Sequence, residues 1–261
     1  VLLSANYGVP QNRDRVVFIG CRNDQEVITE IPATVAEEEK VKVYEALWDL
    51  NMAGNGETVT SYKEPKLIPE YEDTKIPRGI QGEPDKCGHL FSEWSKMGRL
   101  GHRFTFDVEP FYVPNMEELG KPMKYQRMEL FNHQTSLQND TVRERLRIIA
   151  EHGDYDEAKA ELKEKGLESQ KRNYVVLNPL GQSPTVCTMP DDFIHYSAYR
   201  PMTVREMARL QSFDDSFVFQ GKRQTGGNNR QKEIPQYTLV GNAVPPLMAR
   251  AIANTLLKHI K

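Results

Sequence analysis

The sequence predicts an α/β fold in two parts: an incomplete portion of a larger sheet with its helices, and an irregular α+β region set into it. Three observations predict this. The run Arg15-Val-Val-Phe-Ile-Gly-Cys21 is β-branched, short and closed by Gly20, which fits a buried strand. The hundred residues after it offer few partners of the same quality, so its neighbours are expected upstream of Val1. Finally, Met248, Ile252, Leu256 and Ile260 recur every four residues near the end, a helix face that needs a sheet to cover it. A hydrophobic fraction of 38% is low for one compact core and predicts two modest cores or an incomplete one. The first residue is Val1 and not Met, and the opening reads as a chain already in progress, which predicts a fragment or an excised domain.

The elements follow in order. Gly8, Pro10, Gln11 and Asn12 are turn formers that lead into the first strand. Val43 to Leu50 reads as a short helix ending at the Asn51–Gly56 turn. Gly54-Asn55-Gly56 follows no strand, which argues against a nucleotide loop. Residues 57–125 are rich in Pro, Gly, Lys and Glu with isolated aromatics, and read as irregular. Thr141 to Glu151 is a helix that Asn139 or Asp140 can cap, with Val142, Leu146, Ile149 and Ala150 as its stripe. Glu157 to Lys165 is a second, charged helix. Tyr174 to Leu177 and Thr185 to Thr188 read as strands around the Asn178–Ser183 turn. Val204 to Ser212 is an amphipathic helix, with Thr203 as N-cap and Glu206 completing a capping box. Gln236 to Val240 reads as an apolar strand broken at Gly241-Asn242, and the last helix runs from Pro246 to Ile260.

Charge is distributed unevenly behind the net value of −3. Residues 1–23 carry +2. Residues 200–261 hold ten Lys or Arg against four acids, which leaves −11 for residues 24–199. Two basic ends suit a phosphate backbone. No apolar run approaches the roughly 20 residues that span a bilayer, and no charged-then-apolar leader opens the chain. Cys21, Cys87 and Cys187 are odd in number and widely spaced, which predicts a reducing, cytoplasmic setting with no disulfide framework. No metal site is expected; Cys87-Gly88-His89 is the nearest approach to a ligand pair.

Three stretches carry candidate chemistry. In Gln11-Asn-Arg13-Asp-Arg15, alternation points Gln11, Arg13 and Arg15 the same way in extended backbone. Two close guanidiniums suit an anion or a base carbonyl, and equally an acid-flanked strand edge. Arg200 to Phe213, read alone, is a structural helix. Gln236 to Pro246 brings backbone N–H groups and the Asn242 amide to one junction, which suits a small polar ligand.

Together and in this order, the three resemble the last three motifs of the DNA (cytosine-5) methyltransferases: Gln-x-Arg-x-Arg, Arg-x-x-Thr-x-x-Glu-x-x-Arg-Leu-Gln-x-Phe and Gly-Asn-x-Val. Nearly every signature position of the three matches. The resemblance implies the carboxy-terminal part of such an enzyme, with an incomplete Rossmann-like methyltransferase sheet and a target recognition domain. The expected boundaries are 1–23 for the last strand region of the catalytic domain and 24–199 for hinge and recognition domain. Residues 200–261 would return to the catalytic domain. It implies S-adenosyl-L-methionine as cofactor, double-stranded DNA and an upstream catalytic half as partners, and a cytosine flipped from the stack for reaction at C5. Arg15 matches the arginine that holds the base, with Arg13 and Gln11 as its supporting partners. Gly241, Asn242, Ala243 and Val244 match the segment that closes over the cofactor. Arg200, Glu206 and Arg209 are implied to be structural.

Pro184-Thr185-Val186 resembles a recognition-domain signature, so Thr185 is expected near DNA. A basic loop, with Lys222, Arg223, Arg230 and Lys232, is expected to contact phosphate, and with Arg13 and Arg15 to line a DNA cleft. The family's nucleophile follows a proline, whereas Gly20, Lys86 and Val186 precede the three cysteines here. Cys187 is read as a small buried residue. The Glu-Asn-Val segment and the Gly-rich first loop are also absent, so this chain alone is expected to be inactive. The reading is of a bacterial, nucleoid-associated restriction-modification or orphan methylase. The alternatives are a non-catalytic DNA-binding or regulatory module derived from the family and a transfer-RNA methylating relative, the latter disfavoured by the long 24–199 insert.

Overall fold

A computed structural model of the chain describes residues 1–47, 50, 52–61, 130–171, 173–213, 215, 217–224 and 233–259. Most of the irregular 57–125 stretch, the Cys87–His89 pair, Arg230 and Lys232 lie outside these residues. The described fold is mixed α/β, with short strands and a larger share of helix.

Strand β1 (Leu2–Leu3) pairs antiparallel with β2 (Asp14–Arg15), Leu2 opposite Arg15 and Leu3 opposite Asp14. A 3-10 turn over Ser4–Tyr7 follows β1 and is closed by Gly8 at φ 80°, where glycine avoids a Cβ clash. The strand expected over Arg15–Cys21 stops at Arg15. Beyond it the side chains still alternate, with Val17 and Ile19 packed on the core, but Val16 is 63% and Phe18 is 93% exposed. The segment is therefore extended on one covered face, not buried on two; a strand exists only where another chain segment accepts its ladder.

Helix α1 (Val43–Leu47) has its first N–H groups satisfied by the 178–181 turn, Val43 bonding to the Gly181 carbonyl at 2.8 Å and Tyr44 to that of Pro179 at 3.0 Å. Helices α2 (Asp140–His152) and α3 (Tyr155–Glu164) form a hairpin hinged at Gly153. Asn139 caps the first by accepting from the Val142 N–H at 2.9 Å, and Asp154 caps the second by accepting from that of Glu157 at 2.8 Å. Strand β3 (Val175–Val176) runs parallel to β4 (Phe193–Ile194). Helices α4 (Val204–Leu210), α5 (Gln236–Asn242) and α6 (Pro246–His259) complete the chain.

Three expectations are corrected. Gln236–Val240 is helix, not strand. Its Gln236, Tyr237, Val240 and Gly241 make a helical stripe buried against α4, and that burial outweighs the modest β preference of Tyr, Thr and Val. Thr185–Thr188 pairs with no strand, for a reason given below. Helix α4 is not amphipathic: all seven of its residues are buried.

Among the described residues two hydrophobic clusters form. The larger gathers Tyr7, Val9, Tyr44, Leu47, Met207, Tyr237, Val240 and Met248 with others, drawing on all three expected segments and so crossing residues 23 and 199. The smaller is the α2–α3 hairpin closed by Ile194 of β4. No helix among the described residues is long and apolar enough to cross a membrane.

Candidate functional site

The three sequence stretches meet at one buried point. Residues 10–12 run beside Ser183, the Asn12 N–H bonding to the Ser183 carbonyl at 2.8 Å and the Ser183 N–H to that of Pro10 at 3.0 Å. From there the connection passes to side chains. Gln11, with 0% exposure, accepts from the Val186 N–H at 2.8 Å. Its amide nitrogen donates to the Leu210 carbonyl at 3.0 Å and to the Gln211 side-chain oxygen at 3.1 Å. Arg13, 4% exposed, forks between the carbonyls of Val186 and Gly241, each at 2.9 Å. Thus both polar backbone groups of Val186 are satisfied by side chains, which is why Val186 needs no partner strand. Ser4 completes the joint: its hydroxyl donates to the Gln11 carbonyl and accepts from the Arg13 N–H.

Arg13 is spent on the protein and lines no open cleft. Burial lowers its pKa, Arg15 nearby adds to that, and Cys187 opposes it. Its Nε has no partner among the described residues. Arg15 differs. It is half-buried, and among the described residues its guanidinium bonds only to the Asp14 carbonyl, at 2.6 Å. Thr185 is half-buried and donates to the Asn12 carbonyl at 3.1 Å. Cys187 is exposed, contrary to expectation, because Val186 takes the inward position and alternation turns its neighbour out.

Behind this joint lies an ionic frame. Arg200 forks onto Glu206 at 2.9 and 2.8 Å, and Glu206 also accepts from the Thr203 N–H at 2.8 Å while the Thr203 hydroxyl accepts from the Glu206 N–H. Burial alone would raise the Glu206 carboxyl, but Arg200 outweighs it and holds the group well below the usual carboxylate range. Arg209 forks onto Asp215 at 3.2 and 2.7 Å and donates to the Ala46 carbonyl at 2.9 Å. Arg205 reaches the carbonyls of Phe131 and Phe217 at 2.9 and 2.8 Å. These arginines are wholly or almost wholly buried and paired, which makes them structural.

The α5–α6 junction presents the fourth group. Gly241 is required by close approach: a Cβ there would stand 2.5 Å from the Cys187 carbonyl oxygen. Asn242 is exposed, Ala243 half-buried and Val244 57% exposed. Ser212, at φ 64°, accepts from the Leu247 N–H at 3.2 Å and so ties the end of α4 to the start of α6. The basic loop is only partly described. Lys222 is exposed and paired with Glu233 at 2.8 Å. Arg223 is half-buried and donates to the Ser136 hydroxyl at 2.9 Å. It also bonds to Tyr237, whose hydroxyl burial pushes up to about 12 despite that contact.

Sequence reading missed Ser4, Val186 and Gln211 as members of the joint. The first two act through a single hydroxyl and a backbone unit, which leave no pattern; Gln211 was visible only as a motif letter. A cavity of about 520 Å³ lies elsewhere, between α2 and residues 53–55 and 198–200. Its Arg143 and Arg147 are paired with Asp140 and Glu144. Among the described residues no cluster of three His, Cys, Asp or Glu could hold a metal.

Comparison with known proteins gives the following. The sequence profile of the C-5 cytosine-specific DNA methylases matches residues 1–258. The type II methyltransferase M.DdeI of Desulfomicrobium norvegicum is 30% identical over 98% of this chain and 53% of its own length. The type II methyltransferase M.AquIB of Picosynechococcus sp. is 32% identical over 140 residues, 53% of this chain and 95% of its own. A solved structure from E. coli, described as a prophage-encoded DNA modification methyltransferase, superposes with a TM-score of 0.57 at 22% identity. It covers 99% of this chain and 58% of its own, and so shows a shared fold. The chain spans about half the length of M.DdeI and of that structure.

Proposed function

The chain belongs to the C-5 cytosine-specific DNA methylase family, and from that premise we propose that it is the carboxy-terminal, DNA-recognising part of a DNA (cytosine-5) methyltransferase. The observation that carries this is the joint at Val186. Gln11 and Arg13 lock the recognition segment to the cofactor-side turn and leave Arg15, on the same face, as the guanidinium with spare donors.

Arg15 holds the flipped cytosine. A planar cation beside the base carbonyl stabilises negative charge as it builds on the ring, and its position on backbone clamped by Arg13 means little reorganisation is needed. Arg13 and Gln11 are positioning residues. Thr185 stands beside the DNA. Lys222 contributes charge that phosphate can compete for, since exposed ion pairs are weak. S-adenosyl-L-methionine, when bound, supplies the methyl group. An exposed amide at Asn242 beside the exposed apolar Val244 fits a ligand with polar and apolar surfaces, and Asn242, Ala243 and Val244 would hold it. The nucleophile and most of the cofactor pocket come from a second part. M.AquIB, covered over 95% of its own length by 140 residues that match this chain, supports a part resembling this one existing as its own polypeptide.

The test is methyl transfer from labelled S-adenosyl-L-methionine to mixed-sequence duplex DNA, by this chain alone and with the upstream coding region restored. Transfer is expected only after restoration, and Arg15→Ala should then lower it about 100-fold or more. DNA binding with no transfer in either case would leave a recognition module instead.

A further inference from the structure

Two buried amides link the recognition segment to the cofactor-side turn in a fixed direction. The Val186 N–H can only donate, so it faces the Gln11 oxygen at 2.8 Å. The Leu210 carbonyl can only accept, so it faces the Gln11 nitrogen at 3.0 Å. That nitrogen has one hydrogen left, which goes to the Gln211 oxygen at 3.1 Å. The Gln211 nitrogen then donates to the Val240 carbonyl at 2.9 Å, in the last turn of α5. Backbone chemistry at both ends thus settles which way each amide points.

Resting on the function proposed above, we propose that Gln211 is a positioning residue for methyl transfer, setting the Gly241–Val244 turn against the segment at Val186 through this amide relay. Gln211 is fully buried, and its side chain bonds to Gln11 and to the Val240 carbonyl. It acts through Val240. The position needs one group that accepts from Gln11 and another that donates to Val240 at once. A carboxylate has no donor and a thioether has neither a donor nor a strong acceptor. Arg13 grips the next carbonyl, Gly241, so the turn is held at two successive residues from two different segments.

The two glutamines should therefore fail differently. In the full-length enzyme, Gln211→Met is expected to raise the KM for S-adenosyl-L-methionine about tenfold, leaving kcat and the KM for DNA within about threefold. Gln11→Met, which also frees Val186, should raise both KM values. The double variant should have a cofactor KM no higher than the larger of the two single variants, because one relay is broken twice. A merely structural glutamine would lower the melting temperature with both KM values unchanged, and that result overturns the inference. If Gln211→Met does not fold, Gln211→Glu assayed from about pH 6 to 9 keeps the acceptor toward Gln11 and loses the donor to Val240 as its carboxyl ionises; a cofactor KM unchanged relative to wild type across that range is equally fatal. Absence of transfer by the unmodified full-length protein is a separate outcome, which removes the proposed function and this inference with it.

Discussion

Glu206 is buried to within 1% of its surface, yet its carboxyl stays ionised because Arg200 supplies two hydrogen bonds and a charge. A carboxyl held below its unfolded value near about 4.3 contributes stability in full above that pH and loses it as pH falls toward the folded value. Glu206→Gln leaves Arg200 buried without its charge partner and is expected to cost about 3–5 kcal/mol at pH 7 in urea denaturation. The gap between variant and wild type should narrow below about pH 4 as the wild-type carboxyl loses its advantage. A gap unchanged from pH 7 to pH 3 would count against the ion pair as its source. Residues of this kind were legible because a capping box is local: Thr203 and Glu206 announce each other three positions apart. The pairing of Arg209 with Asp215 is almost as local. What Gln11 and Arg13 bind is not local at all, since their partners lie more than 170 residues away in sequence.

At the scale of elements, the same division holds. Helices α2, α3, α4 and α6 could be placed to within a few residues from their caps and apolar stripes. Helix α5 could not, because seven residues with Tyr, Thr and Val favour helix only when α4 is there to cover them. The extended segments failed for the opposite reason: their conformation is set by partners in other segments, and at Val186 those partners are side chains. Gly241 shows how tightly α5 is seated. Gly241→Ala would drive a Cβ into the backbone at Cys187 and Thr188, which flexes far less readily than a side chain. The expected loss is at least about 1–3 kcal/mol by thermal or urea melting, with release of the Arg13 contact. Full stability in that variant would show that the 187–188 backbone can move away at no cost.

Over the described residues of the whole molecule, stability is divided between two clusters that adjoin along β4, with Phe193 in the larger and Ile194 in the smaller. The hairpin cluster contributes nothing to the joint at Val186, so damage to it should stay local. Leu162→Ala is expected to cost about 2–5 kcal/mol in that cluster. Hydrogen exchange should then rise across 140–167 while 183–188 and 236–242 keep their protection. Equal loss in both regions would mean the clusters unfold as one. The apolar share predicted two modest cores or an incomplete one, and the large core's reach across residues 23 and 199 was not visible, because no periodicity marks which loop a helix will cover. The manner in which Val186 is held has a further effect. A paired strand is a zipper, and an insertion slides its whole register. The extended segment at Val186, held by two outside side chains with short backbone contacts at Ser183 and Cys187, is closer to a garment on a hook. Sequence and length before Ser183 and after Thr188 can then be exchanged without moving the point of suspension, so loops of quite different design can hang from the same fitting.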